Sequence, residues 1–386
     1  MSISQFLPLR NDLLHEEPYG APQLDVTACL NVNENPYSLD EDVAKDIAQE
    51  ILAIAPTLNR YPDRDHTALR EDLAKYLREE SGVEVEYENV WAANGSNEIM
   101  LQLFQAFGGP GRIALSADPT YSMYPEYARD TFTQWKTVER NSDFSINIEK
   151  FIAAVEEEKP SLIVLTSPNN PTGTLLDNAD IARILQATQN VEVAGSIQSA
   201  HPLVVIDEAY AEFRDPQVPS ALELLEHYPN IAISRTMSKA FAFAGVRLGY
   251  LAAHPDVIQC MQIVRLPYHL SALTQAAARV ALRHTKEQLA QVAHLRQLRE
   301  DTQEWLSQQT YKGHTLHVAP SQSNFVLFGG DFDNRDRIFS LLVERGVLIR
   351  VVGPQGWLRV CMGTDEEMAL FRKSLLEVLR IVENEN

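Results

Sequence analysis

The stretch Ser234–Tyr250 reads "SRTMSKAFAFAGVRLGY" and starts at the last residue of the apolar run "NIAIS". It holds one lysine, Lys239, among small, hydroxylated and apolar residues, with Arg247 eight positions further on. Lysines ordinarily lie in water, because burying an ammonium is costly unless it is paired or neutralised. Two readings are open: a surface lysine on a short helix, or a nucleophilic amine of depressed pKa that carries a covalent cofactor.

Working outward, the same texture recurs from about Val90 onward. Short apolar runs end abruptly in polar, Gly- or Pro-rich turns: "NVWAA" before "NGSNE", "RIALSA" before "DPTYS", "SLIVLT" before "SPNNPTG", "PLVVI" before "DEAY". Helical segments such as "DNADIARILQAT" and "SALELLEHY" lie between some of them. Fully apolar strands alternating with helices imply an α/β fold with a largely parallel sheet covered on both faces. In such sheets ligands bind beyond the carboxyl ends of the strands, which is where every unusual motif falls.

Before this region come a turn-rich arm, residues 1–40, and helical patterns over Asp40–Ile54 and Thr67–Gly82, the second ending in a glycine suited to a C-cap. After Leu270 a long helical pattern runs to Gln309. Then come "SNFVLFG", a helix around "RDRIFSLLVERG", the strand-like "VLIRVV" and "GWLRVCMG", and a final helix "DEEMALFRKSLLEVLRIV". This predicts a smaller α+β C-terminal domain, giving an arm (1–40), a large domain (41–275) and a small domain (276–386, together with part of the arm).

A chain of 386 residues exceeds the roughly 250–300 at which one core usually stops growing. Its formal charge of −20 disfavours nucleic acid and anionic membranes. Any anionic ligand must therefore be held by local arginines and backbone N–H groups. The three cysteines, Cys29, Cys260 and Cys361, are far apart and show no metal-ligand spacing, so reduced thiols in a cytoplasmic protein are expected and no metal is. The opening "MSISQFLPLRNDLLHEEPYG" lacks a basic segment followed by an apolar one, so no signal peptide is expected.

Several residues are candidates for chemistry, each with a plainer alternative. Asp207 closes an apolar strand and reads either as a helix cap or ion-pair member, or as a buried carboxylate that keeps a heterocyclic nitrogen protonated. Tyr210 is either a buried, capped tyrosine or a hydrogen-bond donor to the same ring. In "SPNNPTG", Asn170 belongs to a turn or touches a ring hydroxyl or a substrate carboxylate. Gly95, Ser96 and Asn97 begin a helix, as caps or as a phosphate site. Thr236, Ser238 and Arg247 suit a phosphate dianion. Tyr121 packs in the core or stacks on a flat ring. Together these groups make up the set that pyridoxal 5′-phosphate requires, with Lys239 as its covalent anchor.

In this order, "NENP", "PTY", "NNPTG", "DEAY", "SKAFAFAGVRLGY" and "LRVCMGT" resemble the fold-type I aminotransferases of the aspartate aminotransferase superfamily, over essentially the whole chain. "LPLRNDL", "PYGAPQLDVTACLNVNENPYS", "RYPD", "GSNE" and "SNFVLF" are similar, within it, to the histidinol-phosphate aminotransferase family. The resemblance implies a three-layer α/β/α large domain around a mostly parallel sheet. It implies transamination of L-histidinol phosphate with 2-oxoglutarate in histidine biosynthesis, giving imidazole-acetol phosphate and L-glutamate; an aromatic-amino-acid aminotransferase is the alternative. By the same resemblance Lys239, Asp207 and Tyr210 are catalytic. Tyr210 and Asn170 bind the ring oxygen, Tyr121 stacks on the ring, and Gly95, Ser96, Asn97, Thr236, Ser238 and Arg247 hold the phosphate. Tyr61, from "RYPD", is implied to reach the phosphate of the neighbouring subunit, which requires a homodimer. Arg359 is implied to receive the substrate carboxylate or phosphate. Arg350, Tyr19 and Tyr268 are implied to be further contacts at that end, Tyr268 again across the dimer. The loop Val352–Trp357 receives no role.

Overall fold

The computed structural model describes residues 7–196 and 199–385. The first six residues of the expected arm, and with them the start of the segment read for a signal peptide, lie outside the described residues. Seven strands form the main sheet: β1 (Val90–Ala93), β2 (Ile113–Asp118), β3 (Gln134–Glu139), β4 (Leu162–Thr166), β5 (Leu203–Asp207), β6 (Ile231–Thr236) and β7 (Gly249–Ala253). Their spatial order is β1-β7-β6-β5-β4-β2-β3. Only β7 runs antiparallel to its neighbours; the other pairings are parallel.

Strands β4, β5 and β6 are buried along their whole length. Successive side chains point to opposite faces, and the two faces feed two cores. Ile163, Val204, Ile206 and Ile233 join one apolar cluster, whereas Leu162, Val164, Val205 and Ala232 join another. A continuous apolar run is therefore what a strand covered on both sides needs. The mostly parallel α/β/α arrangement follows from it.

Two strands escape the apolar-run reading. Edge strand β3, "QWKTVE", is half exposed, so its residues alternate rather than forming an apolar block. Strand β7 begins with the "GY" that ends the motif and runs on through "LAA", masked by its glycine. Two helical readings also change. The pattern beginning after Leu270 and running to Gln309 divides into helices Ala272–Arg283 and Thr285–Ser307. At the break His284 leaves helical geometry, with its Nε2 2.8 Å from Asp46 Oδ2. "SALELLEHY" keeps only a 3-10 turn, Ala221–Leu224, whose cap Ser220 is bonded to Glu208 and Arg235. The earlier helices occur as read: Asp40 caps Glu41–Ile54, and Gly82, at φ 72°, ends Thr67–Ser81.

A second, antiparallel sheet is built from β8 (His317–Val318), β9 (Phe325–Gly329) and β10 (Trp357–Cys361). The arm does not run free: Ala28–Cys29 pairs in parallel with Val347–Leu348. The Cys361 N–H then donates to Leu30 O at 3.0 Å, so residues 30–34 run beside β10 and face the carboxyl edge of the main sheet. Among the described residues no helix is long and apolar enough to cross a membrane.

Candidate active site

At that edge lies a cavity of about 430 Å³. One wall consists of strand ends: Ser96 and Asn97 after β1, Tyr121 after β2, Asn170 after β4, Asp207 and Tyr210 at β5, Thr236, Ser238 and Lys239 at β6, and Arg247 beyond. The facing wall holds Tyr19, residues 31–34, Val352, Arg350 and Arg359. Four cations and two carboxylates line the space, so the site is locally cationic inside an acidic protein.

Lys239 is half buried, and its Nζ donates to Val32 O at 3.0 Å. Burial, acting mainly against the ammonium, lowers its pKa to about 8. Asp207 ends β5 and is only 4% exposed. Its Oδ2 accepts from Tyr124 Oη at 2.7 Å and its Oδ1 from the Ala209 N–H at 3.2 Å. Burial outweighs those bonds and raises its pKa to about 6. Among the described residues no ion pair to Asp207 is made, so the carboxylate faces the cavity uncompensated. The Tyr210 hydroxyl accepts from Asn33 Nδ2 at 2.7 Å and from Asn170 Nδ2 at 3.4 Å, and burial holds it well above its usual pKa. Tyr121 is half buried, edge-on to Tyr124 with ring centroids 5.5 Å apart.

The anion end is built from close backbone approaches. Gly95, at φ 81°, caps the helix Ser96–Phe107; a Cβ there would stand 2.6 Å from Arg247 Nη2. Gly249 is equally constrained, since a Cβ would come 2.2 Å from the Ser96 nitrogen. Two glycines thus let a helix N-terminus, a guanidinium and the Thr236–Ser238 hydroxyls share one corner. Ser238 N–H and Thr236 Oγ1 bond at 3.1 Å, and Arg247 is held by Nη1 donating to Ala244 O at 3.1 Å.

Across the cavity, Arg359 is 5% exposed. Its Nη1 donates to Asn170 Oδ1 and its Nη2 to Asn31 O at 3.0 Å, while Nε is buried without a partner. Arg350 is joined to it by paired backbone bonds of 2.9 Å. Tyr19 borders the cavity and is 50% exposed; Ser122 Oγ donates to its hydroxyl at 3.3 Å. Tyr61 and Tyr268 stand apart from this chain's cavity, stacked on each other at 4.5 Å, 79% and 40% exposed.

Three residues that sequence reasoning passed over belong here: Tyr124, on Asp207; Asn33, on Tyr210; and Cys361, whose sulfur bonds Asn33. "PTYSMY" and "NENP" carried a signal for the first two; Cys361 lies in "LRVCMGT", where nothing set it apart from its neighbours. Among the described residues no group of three or more His, Cys, Asp or Glu side chains is placed to hold a metal ion. The donor set fits pyridoxal 5′-phosphate: an amine of lowered pKa, a carboxylate lacking a cation, a glycine-lined anion corner and an unpartnered guanidinium nitrogen.

The chain matches the family model for aminotransferase class I and II over residues 27–375. It is 66% identical to the histidinol-phosphate aminotransferase of Bifidobacterium adolescentis over 382 residues, covering 99% of this chain and 98% of that protein. It is 54% identical to the histidinol-phosphate aminotransferase of Thermobifida fusca, covering 96% and 95%. The fold is shared with a histidinol-phosphate aminotransferase from Sinorhizobium meliloti solved in complex with pyridoxal-5′-phosphate. The TM-score is 0.79 at 24% identity, covering 92% of each chain. The chain belongs to the class I and II aminotransferase family.

Proposed function

We propose that this protein transfers the amino group of L-histidinol phosphate to 2-oxoglutarate, giving imidazole-acetol phosphate and L-glutamate, with pyridoxal 5′-phosphate held in the cavity. The observation that carries this reading is a single cavity in which a half-buried amine and an uncompensated carboxylate face a wall bearing two arginines. The names of the close relatives support the choice of substrates.

Bound here, the cofactor supplies an electron sink for the bonds at the substrate's α-carbon. Lys239 would anchor it and would take up the proton from that carbon; a pKa of about 8 leaves roughly a tenth of the amine neutral at pH 7 and about half at pH 8, far more than for an ordinary lysine. Asp207 keeps the ring nitrogen protonated, because a buried anion without a cation favours one beside it. Tyr210 and Asn170 bind the ring oxygen, and Tyr121 covers a face of the ring. Gly95, Ser96, Asn97, Thr236, Ser238 and Arg247 hold the phosphate.

Arg359 and Arg350, with Tyr19, receive the phosphate of one substrate and a carboxylate of the other; guanidinium forks suit both. Tyr61 and Tyr268 reach the site of a second subunit, in a homodimer. The reading includes the domain limits 1–40, 41–275 and 276–386 and a cytoplasmic location. A panel of amines run against 2-oxoglutarate tests it, with glutamate formation measured. Histidinol phosphate is expected to exceed phenylalanine in kcat/KM by at least about 100-fold, since the carboxylate of phenylalanine is shorter and less charged than a phosphate ester and leaves part of the Arg350–Arg359 donor set unpaired. Equal rates would favour the aromatic-amino-acid aminotransferase, and no glutamate from any amine would remove transamination altogether.

A further inference from the structure

The Tyr210 oxygen accepts from two amides, those of Asn33 and Asn170. With its acceptor directions taken, the hydroxyl proton is left to point into the cavity that Tyr210 lines. This holds only while Asn33 turns its amide nitrogen, rather than its oxygen, toward the tyrosine. The two orientations of an amide differ little in shape, so hydrogen-bond partners decide between them.

Here the deciding partner is Cys361. Its Sγ donates to Asn33 Oδ1 at 2.8 Å, and the Asn33 backbone N–H donates to Sγ at 3.1 Å. Turned over, the Asn33 amide would bring a second N–H to the sulfur, strand the thiol proton and take the Tyr210 proton for itself. Burial raises the Cys361 pKa, which keeps that proton on the sulfur. Asn33 cannot move aside: it is 3% exposed and sits at φ 58°, a left-handed conformation that asparagine tolerates. Its carbonyl is also held by Asn324 Nδ2 at 3.0 Å. Arg359 stands two residues before Cys361 on β10 and donates to Asn170 Oδ1, so the circuit returns to the same tyrosine.

We infer that Cys361 and Asn33 are positioning residues that aim the Tyr210 hydroxyl proton at the bound cofactor, an inference that rests on the cofactor-binding reading above. A proton donated to the ring oxygen stabilises negative charge there. It therefore lowers the pH midpoint of the visible absorbance change of the cofactor-loaded protein.

The experiment is a spectroscopic pH titration of loaded variants. Cys361→Ala is expected to raise the midpoint by about half to one pH unit, the size of one hydrogen bond. Cys361→Ser, which restores a donor, returns it to the original value. Tyr210→Phe raises it at least as far, and adding Cys361→Ala to Tyr210→Phe moves it no further. An unchanged midpoint in a loaded Cys361→Ala protein overturns the inference, as does an equal shift in the Tyr210→Phe background. Should Cys361→Ala fail to fold, Cys361→Val, close in shape and lacking a donor, is titrated instead; failure of both to fold or load assigns Cys361 to packing and overturns the inference. A Tyr210→Phe protein with an unchanged midpoint would instead sink the role of Tyr210 in the cofactor-binding reading.

Discussion

Asp207 and Glu208 are neighbours in the chain, both buried at the end of β5, and they meet opposite fates. Glu208 is enclosed by Arg235 Nη2 at 2.8 Å, Arg214 Nη1 at 3.0 Å, Ser220 Oγ at 2.7 Å and the Ala221 N–H at 2.8 Å. Burial pushes its pKa up, but the two arginines and these bonds more than reverse that, and it ends below the usual value. Asp207 has a tyrosine hydroxyl and one amide, and burial wins. A buried charge whose partners are all protein groups is structural. One whose partners fall short is where a ligand completes the count. Arg359, with an unpartnered Nε, belongs with Asp207 on the incomplete side.

The largest expected effect is on the incomplete side. Lys239→Ala lowers kcat by more than about 1,000-fold, since anchor and proton carrier are lost together; residual turnover above a tenth would break the assignment. On the complete side, Glu208→Gln lowers unfolding stability at pH 8 by about 3 kcal/mol, because buried arginines lose their carboxylate. Denaturant titration measures it, and a neutral result would erase the contrast. Arg359→Ala raises KM for 2-oxoglutarate by about 10- to 100-fold, the worth of one or two charge-assisted bonds, with a smaller change in kcat.

The smallest effect is the sharpest. The pKa of Asp207 rises on folding from 3.8 to about 6, so its contribution to stability is full below pH 3.8 and lost as pH climbs through 6. In the cofactor-free protein, Asp207→Asn therefore gains about 1–2 kcal/mol at pH 8, the roughly 3 kcal/mol of the pKa rise less the Tyr124 hydrogen bond that an amide nitrogen cannot accept, and none of that pH-dependent gain at pH 3. Glu208, lowered on folding, has the opposite sign: its contribution is present above the usual 4.5 and fades as pH falls.

The legible parts of this molecule are those whose physics is local. Apolar blocks such as "SLIVLT" and "PLVVI" announce strands covered on both faces, and the turns after them announce the ligand edge. Strand β3 was hidden because an edge strand in water looks polar, and β7 because its first residue must be a glycine to let Ser96 approach. Lys239, Asp207 and Tyr210 stand out through their odd surroundings in sequence. Asn33 and Cys361 do not, because each acquires its role only from a residue far along the chain. His284 broke a helical pattern for a similar reason, its partner Asp46 being remote.

Cys361 and Asn33 are separated by 328 positions, and Asn324 lies 291 positions from the carbonyl it holds. During synthesis, strands β1–β7 can pair and cover their faces as they emerge, yet the arm strand has nothing to lie against until Val347–Leu348 has left the ribosome. The pocket wall bearing residues 31–34 thus cannot be set until those late segments are available. A nascent chain stalled before residue 347 would carry a nearly finished sheet and an open, incomplete binding edge.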